Sequence, residues 1–469
     1  MEEIIILHTN DLHSHFENWP KIRRFLLEKK AENTEVSQTT VTVDLGDFVD
    51  RWHPLTEATD GQANIDLMNT IHYDGATIGN NEGVGNSKRQ LNNLYNEANF
   101  DVLLGNLFDP DTGERPEWAE PYKIIETPSH TKIGLIALTA PFPLTYKPNG
   151  WDIRRVDEVL PELVQEVRPK CDLLILLSHL GIDNDIKIAT NYPEIDVLLG
   201  SHTHHLFRYG EKINRTQLAA AGKFGQYVGE VHVFLEDGKI FKTTAEAHPT
   251  DELPFFPKDE EEIIGYMEQG HELLKRKSVA ELPYELSNEL DDRYPVIFKT
   301  LDAVKKRGRT EAAVLNTGLF LDELSKGVVT EDDLHRILPH PMHLIRVTLV
   351  GEDMIRLVRE MEKNRQYLRK FPIMGMGFRG KIFGELCYDG IFYDKETKNV
   401  LWNGERIQKD RKYTLTTVDH FLFIPFFPTI EIVGEAEFLF PEFIRNVLGD
   451  YLRRHYPINK KQGIINDRW

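Results

Sequence analysis

Short apolar runs alternate with helix-like segments from residue 1 to about residue 200 of the chain. Runs such as Val41-Thr42-Val43 and Leu173 to Leu177 have the composition and length of buried strands. Between them, the segment from Val156 to Val167 places apolar residues three and four positions apart, as an amphipathic helix does. This alternation predicts a layered α/β domain.

The pattern changes after Thr216. The stretch from Thr216 to Thr244 predicts antiparallel strands that turn at Asp237-Gly238. The segment from Asp259 to Lys277 is acidic first and basic last, which suits the dipole of a helix. Beyond a loop rich in Pro, Asp and Glu, strands such as His343 to Val350 mix with helices, so this half is α+β in character. We therefore predict a first domain over residues 1–258, an interdomain helix over residues 259–280 and a second domain over residues 281–469.

Polar side chains follow five of the apolar runs in the first domain. In an open α/β sheet, ligands bind outside the carboxyl ends of the strands, so these five ends can converge on one crevice. Asp47 is the group that they would share. The five clusters are Asn10-Asp11-Leu12-His13, Gly46-Asp47, Gly79-Asn80, Ser178-His179 and Gly200-Ser201-His202-Thr203-His204.

The clusters supply only oxygen and imidazole donors, which suit Mn, Zn, Fe or Co better than a metal selected by thiolates. One carboxylate can bridge two cations, and two cations about 3.5 to 4 Å apart can clamp both oxygens of a phosphoryl transfer. Residues two apart on extended backbone point the same way, so we expect Asp11 to pair with His13, and His202 with His204. A lone histidine is more often a hydrogen-bonded core residue than a ligand, but five clusters together predict a metal centre. The candidate ligands are Asp11, His13, Asp47, Asn80, His179, His202 and His204.

The composition of the chain limits the kinds of partner that it is expected to bind. The chain has 56 Lys and Arg against 75 Asp and Glu, a formal charge of −19, which argues against a nucleic-acid partner. No stretch approaches about 18 consecutive apolar residues, and no secretory signal is present, so we expect a cytoplasmic protein with no membrane partner. Its two cysteines, Cys171 and Cys387, are not expected to form a disulfide there. We expect a monomer or a weak homodimer.

The five clusters, with Asn81-Glu82 continuing the third, resemble the signature blocks of calcineurin-like metallophosphoesterases, most closely the bacterial 5′-nucleotidase family. The resemblance implies a four-layer α/β sandwich followed by a smaller α+β domain like the 5′-nucleotidase C-terminal domain. It also implies two divalent metal ions, whose bound hydroxide attacks the phosphorus of a nucleotide or a related small phosphate compound. By this resemblance, the first ion is held by Asp11, His13, Asp47 and His204, and the second by Asp47, Asn80, His179 and His202.

One departure from the family pattern concerns proton transfer. The family places a phosphate-contacting histidine after Gly-Asn and an aspartate three residues later, where this chain has Asn81 and Val84. Asn81 can donate a hydrogen bond to phosphate but cannot protonate a leaving oxygen. Protonation by a general acid typically raises the rate by about 10² to 10⁴. We therefore assign Asn81, Asp47 and Asn80 to catalysis and expect good leaving groups to be favoured.

The second domain resembles its family counterpart more loosely. Leu321 stands where the family has an arginine, and His420, followed by Phe421, stands where it has an aromatic ring. The spaced glycines from Gly375 to Gly380 lack the flanking strand and helix of a dinucleotide site and predict a loop, whose Arg379 could contact a phosphate. The candidate substrate-binding residues are Asn316, His420, Phe421 and Arg379.

Three other functions remain open from the sequence. The same site could serve a 2′,3′-cyclic-nucleotide phosphodiesterase, or the sulfur-ester cleavage that some members of the superfamily perform. The missing acid also permits a metal-dependent nucleotide-binding or regulatory protein without turnover. All seven candidate ligands are present, which favours an enzyme.

Overall fold

The computed structural model describes residues 2–373, 375 and 377–458. The chain divides into two compact units, Met1–Gly270 and His271–Trp469. The division falls within the helix Pro257–Lys275, inside the segment predicted to join the domains. Met376, in the predicted loop, and residues 459–469 of the predicted second domain lie outside the described residues.

Strands and helices alternate through the first unit. Its strands are β1 (Glu2–Thr9), β2 (Thr39–Asp44), β3 (Gly75–Ala76), β4 (Val102–Leu103), β5 (Leu107–Phe108), β6 (Ala119–Glu120), β7 (Tyr122–Glu126), β8 (Lys132–Thr139), β9 (Asp152–Ile153), β10 (Leu173–His179), β11 (Val197–Gly200), β12 (Glu211–Ile213), β13 (Thr216–Ala219), β14 (Tyr227–Glu236) and β15 (Lys239–Pro249). Its helices are α1 (Trp19–Glu35), α2 (Pro54–Ala58), α3 (Gln62–Asn69), α4 (Asn80–Gly85), α5 (Lys88–Leu94), α6 (Pro143–Tyr146), α7 (Val156–Val167), α8 (Ile182–Asn191) and α9 (Pro257–Lys275).

Two sheets form the centre of this unit. One has the strand order β15-β14-β1-β2-β3-β4-β6, and the other β12-β13-β11-β10-β8-β7. Strands β1, β2 and β3 run parallel to one another, as do β8, β10 and β11, so their carboxyl ends lie at one edge of each sheet. The polar clusters of the sequence follow these ends.

Alternating side chains divide the core of the first unit into three layers of contact. Ile4, Ile6, Ile175 and Leu177 pack between the two sheets, while Leu7 faces the opposite way toward α1. A third cluster joins the outer face of the second sheet to α7 and α8. The order helix, sheet, sheet, helix confirms the predicted four-layer sandwich.

The second unit is built on a mixed five-stranded sheet of order β20-β17-β24-β19-β25, whose apolar faces share one core. Its strands are β16 (Ser278–Leu282), β17 (Ala312–Asn316), β18 (Gly327–Thr330), β19 (His343–Val350), β20 (Leu386–Asp389), β21 (Ile391–Tyr393), β22 (Val400–Trp402), β23 (Glu405–Arg406), β24 (Lys412–Val418) and β25 (Glu435–Phe443). Its helices are α10 (Val296–Gly308), α11 (Glu331–Ile337), α12 (Gly351–Leu368), α13 (His420–Phe423), α14 (Pro428–Val433) and α15 (Ile444–His455).

One strand differs from the sequence prediction. The strand that begins at Thr216, β13, pairs antiparallel with β12 but parallel with β11, so it belongs to the second sheet and not to the ribbon of β14 and β15. The antiparallel ribbon is β14 with β15, which turns at Asp237 and Gly238 as predicted. Among the described residues, no helix is both long and apolar enough to cross a membrane.

The inter-sheet core gives a first prediction. Ile175 lies at the centre of β10 and is 0% exposed, so Ile175→Ala removes methyl groups that no other atoms replace. We expect a loss of about 2 to 5 kcal/mol in the free energy of unfolding of this unit, measured in urea. Ile186 on α8 is 42% exposed, so Ile186→Ala is the matched control and should change this free energy by less than about 0.5 kcal/mol. Equal losses for both variants would contradict this layering.

Candidate metal centre

The backbone leaves three strands of the site, β1, β2 and β11, through residues in the left-handed conformation. Asp11, His13, Asp47, His202 and His204 all have φ between 50° and 73°, a conformation that few residues other than glycine adopt. These pairs are therefore not on extended backbone, and the expectation that His202 and His204 point the same way was wrong. A left-handed backbone at several functional residues is strained, and the surrounding contacts must maintain it.

Six of the seven predicted ligands come together in two clusters at the carboxyl ends of the sheets. Donor atoms of Asp11, His13 and His204 lie within 4.8 Å of one another, and so do those of Asp47, His179 and His202. In the first cluster, Nε2 of His13 lies 3.0 Å from Nε2 of His204. The two residues of the His202/His204 pair thus belong to different clusters.

Asp47 lies between the two clusters. Its Oδ2 is 3.6 Å from Nε2 of His13 in the first cluster and 3.4 Å from Nε2 of His179 in the second. Its other oxygen, Oδ1, accepts a hydrogen bond of 2.8 Å from the backbone N–H of Asn81. One carboxylate oxygen is therefore available to both clusters, while the other is held by the chain.

Close approach of two loops places Asp47 there. Gly46 has φ of +87°, and a Cβ on it would lie 2.3 Å from the backbone nitrogen of Gly79. The loop after β1 joins the same contact, because N–H of Asp11 donates to the carbonyl of Gly46 and N–H of His13 to that of Asp47. Glycine is required at residue 46 by both its conformation and the space.

Glu82 is a residue of the site to which sequence reasoning gave no role. Its buried carboxylate accepts hydrogen bonds from the backbone N–H groups of Asp47, Val49 and Gly79, at 3.0, 2.8 and 2.8 Å. These bonds join the loop after β2 to the start of α4. The glutamate of the Gly-Asn-Asn-Glu block was the available signal, but its partners are distant in sequence.

Hydrogen bonds on the far side of His179 orient its ring. Nδ1 lies 2.8 Å from the carbonyl oxygen of Leu45, so it carries the proton and donates. Nε2 therefore faces the second cluster, as is usual for a histidine that binds a metal. The hydroxyl of Ser201 also lies 2.9 Å from Nδ1.

Charges in the centre strongly perturb one another. Burial raises the pKa of Asp11 to about 6, against the opposing influence of His179 and His13. Burial alone would lower the pKa of His179, but the facing Asp47 and Asp11 raise it to about 10. Burial lowers the pKa values of His202 and His204 to about 4 and about 3, so these rings are neutral donors near pH 7. The buried carboxylates thus favour positive charge nearby, while the imidazoles of His202 and His204 are neutral.

The residues fit a pair of divalent cations. Among the described residues, Nε2 of His179 and Oδ1 of Asn80 are buried side-chain atoms with no hydrogen-bond partner. Buried polar atoms of folded proteins are nearly always paired, so these two donors point to an ion that they would bind. The oxygen and imidazole donors match Mn, Zn, Fe or Co.

Asn81 faces the first cluster. Its amide nitrogen lies 2.9 Å from Nδ1 of His13 and donates to the carbonyl of Val49 at 3.1 Å. Oδ2 of Asp50 lies 3.4 Å from the same ring nitrogen of His13. Both groups therefore set the orientation of the His13 ring, and the role of Asn81 toward phosphate stays a prediction.

The candidate substrate residues lie in the second unit. Asn316, His420 and Phe421 are 0% exposed, and the ring of Phe421 stacks on Phe427. Asn316 donates to the carbonyl of Phe383 at 2.6 Å, whereas the His420 ring nitrogens have no hydrogen-bond partner in the described part of the chain. The backbone N–H of Arg379 donates to Nδ1 of His340, and Arg379 is partly exposed. Their contact with a substrate stays a prediction.

Comparison with known proteins identifies the family. Residues 4–206 match the calcineurin-like phosphoesterase family, and residues 299–423 match the 5′-nucleotidase C-terminal domain. An uncharacterized metallophosphoesterase, YunD of Bacillus subtilis, is 37% identical over 95% of this chain and 98% of its own length. The chain belongs to the calcineurin-like metallophosphoesterases of the 5′-nucleotidase type.

More distant relatives agree with this metallophosphoesterase assignment. A 5′-nucleotidase of Vibrio cholerae is 24% identical over 75% of this chain and 74% of its own length. A putative 5′-nucleotidase of Staphylococcus aureus, solved in complex with alpha-ketoglutarate, has the same fold with a TM-score of 0.65, at 17% identity and 96% coverage of both chains. The predicted family and two-domain architecture are confirmed, and this metallophosphoesterase is a metal-dependent phosphoester hydrolase.

The buried carboxylate of Glu82 gives a second prediction. In Glu82→Gln an amide N–H₂ group replaces one acceptor oxygen, so at least one of the three backbone donors loses its partner, at a cost of about 1 to 3 kcal/mol. We expect lower stability in urea and weaker manganese binding by calorimetry, because Asp47 is displaced. Exposed Glu117→Gln serves as the control. Manganese binding that equals the wild type would show that Glu82 does not position Asp47.

Proposed function

We propose that this metallophosphoesterase hydrolyses nucleotides or related small phosphate compounds at a dinuclear metal centre. The single observation that supports it most is Oδ2 of Asp47, which lies within 3.6 Å of an imidazole nitrogen from each cluster. A carboxylate placed in this way suits a bridge between two cations. The 5′-nucleotidase relative from Vibrio cholerae supports the nucleotide as substrate.

Asp11, His13, Asp47 and His204 would hold one cation, and Asp47, Asn80, His179 and His202 the other. Bound there, two divalent cations would activate a water molecule and stabilise charge on the phosphoryl oxygens. The chain itself fixes the imidazoles through Leu45, Asp50 and Asn81, and it supplies amide donors beside the cluster. The buried carboxylates of Asp11 and Asp47 would attract the cations, whose local positive charge is compatible with a net charge of −19 for the chain.

The absence of a histidine at residue 81 shapes the choice of leaving group. Asn81 has no titratable proton, and Val84 offers no carboxylate to orient one. A departing oxygen must therefore leave without protonation by these residues. This favours phosphoanhydrides and aryl esters, whose leaving groups are stable anions, over alkyl monoesters.

The dinuclear proposal is tested by hydrolysis with the manganese-loaded protein and its Asp47→Asn variant. Substrates are an aryl phosphate, its diester, a nucleoside monophosphate and a nucleotide anhydride. Loss of partners around a metal ligand already costs about 10- to 100-fold, so we expect Asp47→Asn to lower kcat/KM by more than about 100-fold.

Asp66→Asn, exposed on α3, is the control and should retain activity. Two manganese ions per chain without turnover of any substrate would instead favour a binding protein. Preference for the diester over all the other substrates would favour a phosphodiesterase.

The leaving-group proposal is tested by Asn81→His. We expect the wild type to hydrolyse the aryl phosphate and the anhydride faster than the nucleoside monophosphate. A histidine at residue 81 restores a proton donor, typically worth about 10² to 10⁴ when well placed, so the rate on the monophosphate should rise relative to the aryl phosphate. Asn96→His, on an exposed turn, controls for the added imidazole. Comparable wild-type rates, unchanged in Asn81→His, would rule the proposal out.

A further inference from the structure

A cationic side chain lies beside the first cluster, in the loop between β13 and β14. Nζ of Lys223 lies 4.6 Å from the centre of the Phe224 ring, a cation–π contact. No carboxylate among the described residues lies within ion-pair distance of it, although acidic residues outnumber basic ones in this chain by 75 to 56. A lysine left without a counter-charge near a metal centre is available to an anionic ligand.

The Phe224 ring ties this lysine to the metal centre. Its centroid lies 5.8 Å from that of His13 and 6.2 Å from that of His204. The ring also packs on His15 at 3.9 Å. Lys223 is thus one aromatic ring away from two residues of the first cluster.

The loop that carries Lys223 is held rigidly. Phe224 has φ of 58°, which is strained for a bulky residue, and its N–H donates to the carbonyl of Asp11 at 2.8 Å. On the other side, the carbonyl of Gly222 accepts from the side chain of Asn10 at 2.8 Å, and its N–H donates to the carbonyl of His205. The strain is maintained by contacts to the site itself, as at functional loops generally.

A positive charge beside the first cluster would stabilise a leaving group that the missing acid cannot protonate. A phosphate that departs from an anhydride needs no proton, but its negative charge needs a partner. A lysine ammonium is a compact charge with three donors, well suited to a phosphate group. Hydrogen bonds between charged groups are also the strong ones.

We propose that the Lys223 ammonium, seated over the Phe224 ring, binds the departing phosphate of phosphoanhydride substrates. This inference rests on the proposed function and names the substrate class of the same site. In the step, the oxygen of water bonds to the attacked phosphorus while the bond from that phosphorus to the bridging oxygen breaks. The bridging oxygen leaves with the electron pair as part of the departing phosphate, next to Lys223, and the protons of the water pass to solvent.

The test compares two substrates with the manganese-loaded full chain: a nucleoside diphosphate and 4-nitrophenyl phosphate. Lys223→Gln keeps a flexible polar side chain, one atom shorter than lysine, but removes the charge. We expect kcat/KM for the diphosphate to fall by about 10- to 100-fold, and its ratio to that for the aryl phosphate to fall by about 10-fold or more. Lys223→Arg should recover most of the loss. Lys239→Gln, at the exposed first residue of β15, is the matched control.

A second readout does not depend on turnover. Calorimetry measures binding of methylenediphosphonate, an anhydride analogue that cannot be hydrolysed, and of manganese alone. Lys223→Gln should weaken the first and leave the second unchanged, and Phe224→Leu should weaken the first in part. Equal losses on both substrates, or weaker manganese binding, would assign Lys223 a structural role and overturn the proposal. Wild-type protein that hydrolyses neither substrate would instead refute the proposed function.

Discussion

The metal centre depends on one buried carboxylate that is not itself a candidate ligand. Glu82 gathers the N–H groups of Asp47, Val49 and Gly79, so two loops from neighbouring parallel strands close on the same point. Gly46 permits this approach because it lacks a side chain. The position of Asp47 near both clusters depends on this contact, because Glu82 accepts a hydrogen bond from the backbone N–H of Asp47.

The shared edge of the parallel strands explains how a small number of residues can form the candidate metal centre. Strands β1, β2 and β3 of one sheet and β10 and β11 of the other each deliver one or two donors at their carboxyl ends or just beyond them. Because the two sheets pack face to face, donors from both meet without a long loop between them. The chemistry is therefore concentrated where the core is most rigid, which favours constant distances between its donors.

Sequence reasoning located the donors from local patterns, and the resemblance to the family, not the spacing of the residues, placed His204 and His202 with different ions. The strand-end position of Asp11, Asp47 and His179 follows from apolar runs that stop at polar residues, a local pattern. The separation of His202 from His204 depends on left-handed backbone at both, which the spacing does not encode. The partners of Glu82 and the seat of Lys223 are set by tertiary hydrogen bonds and ring contacts between segments far apart in the chain.

The left-handed residues at the site have a consequence for the life of the protein in the cell. Each such conformation costs of the order of 1 kcal/mol or more, and the buried carboxylates repel one another, so the fold carries a local deficit. A ligand that binds only the folded chain stabilises it in proportion to the logarithm of its concentration. Cations bound at the proposed centre would therefore stabilise the folded chain, and a chain without them would be more exposed to proteolysis.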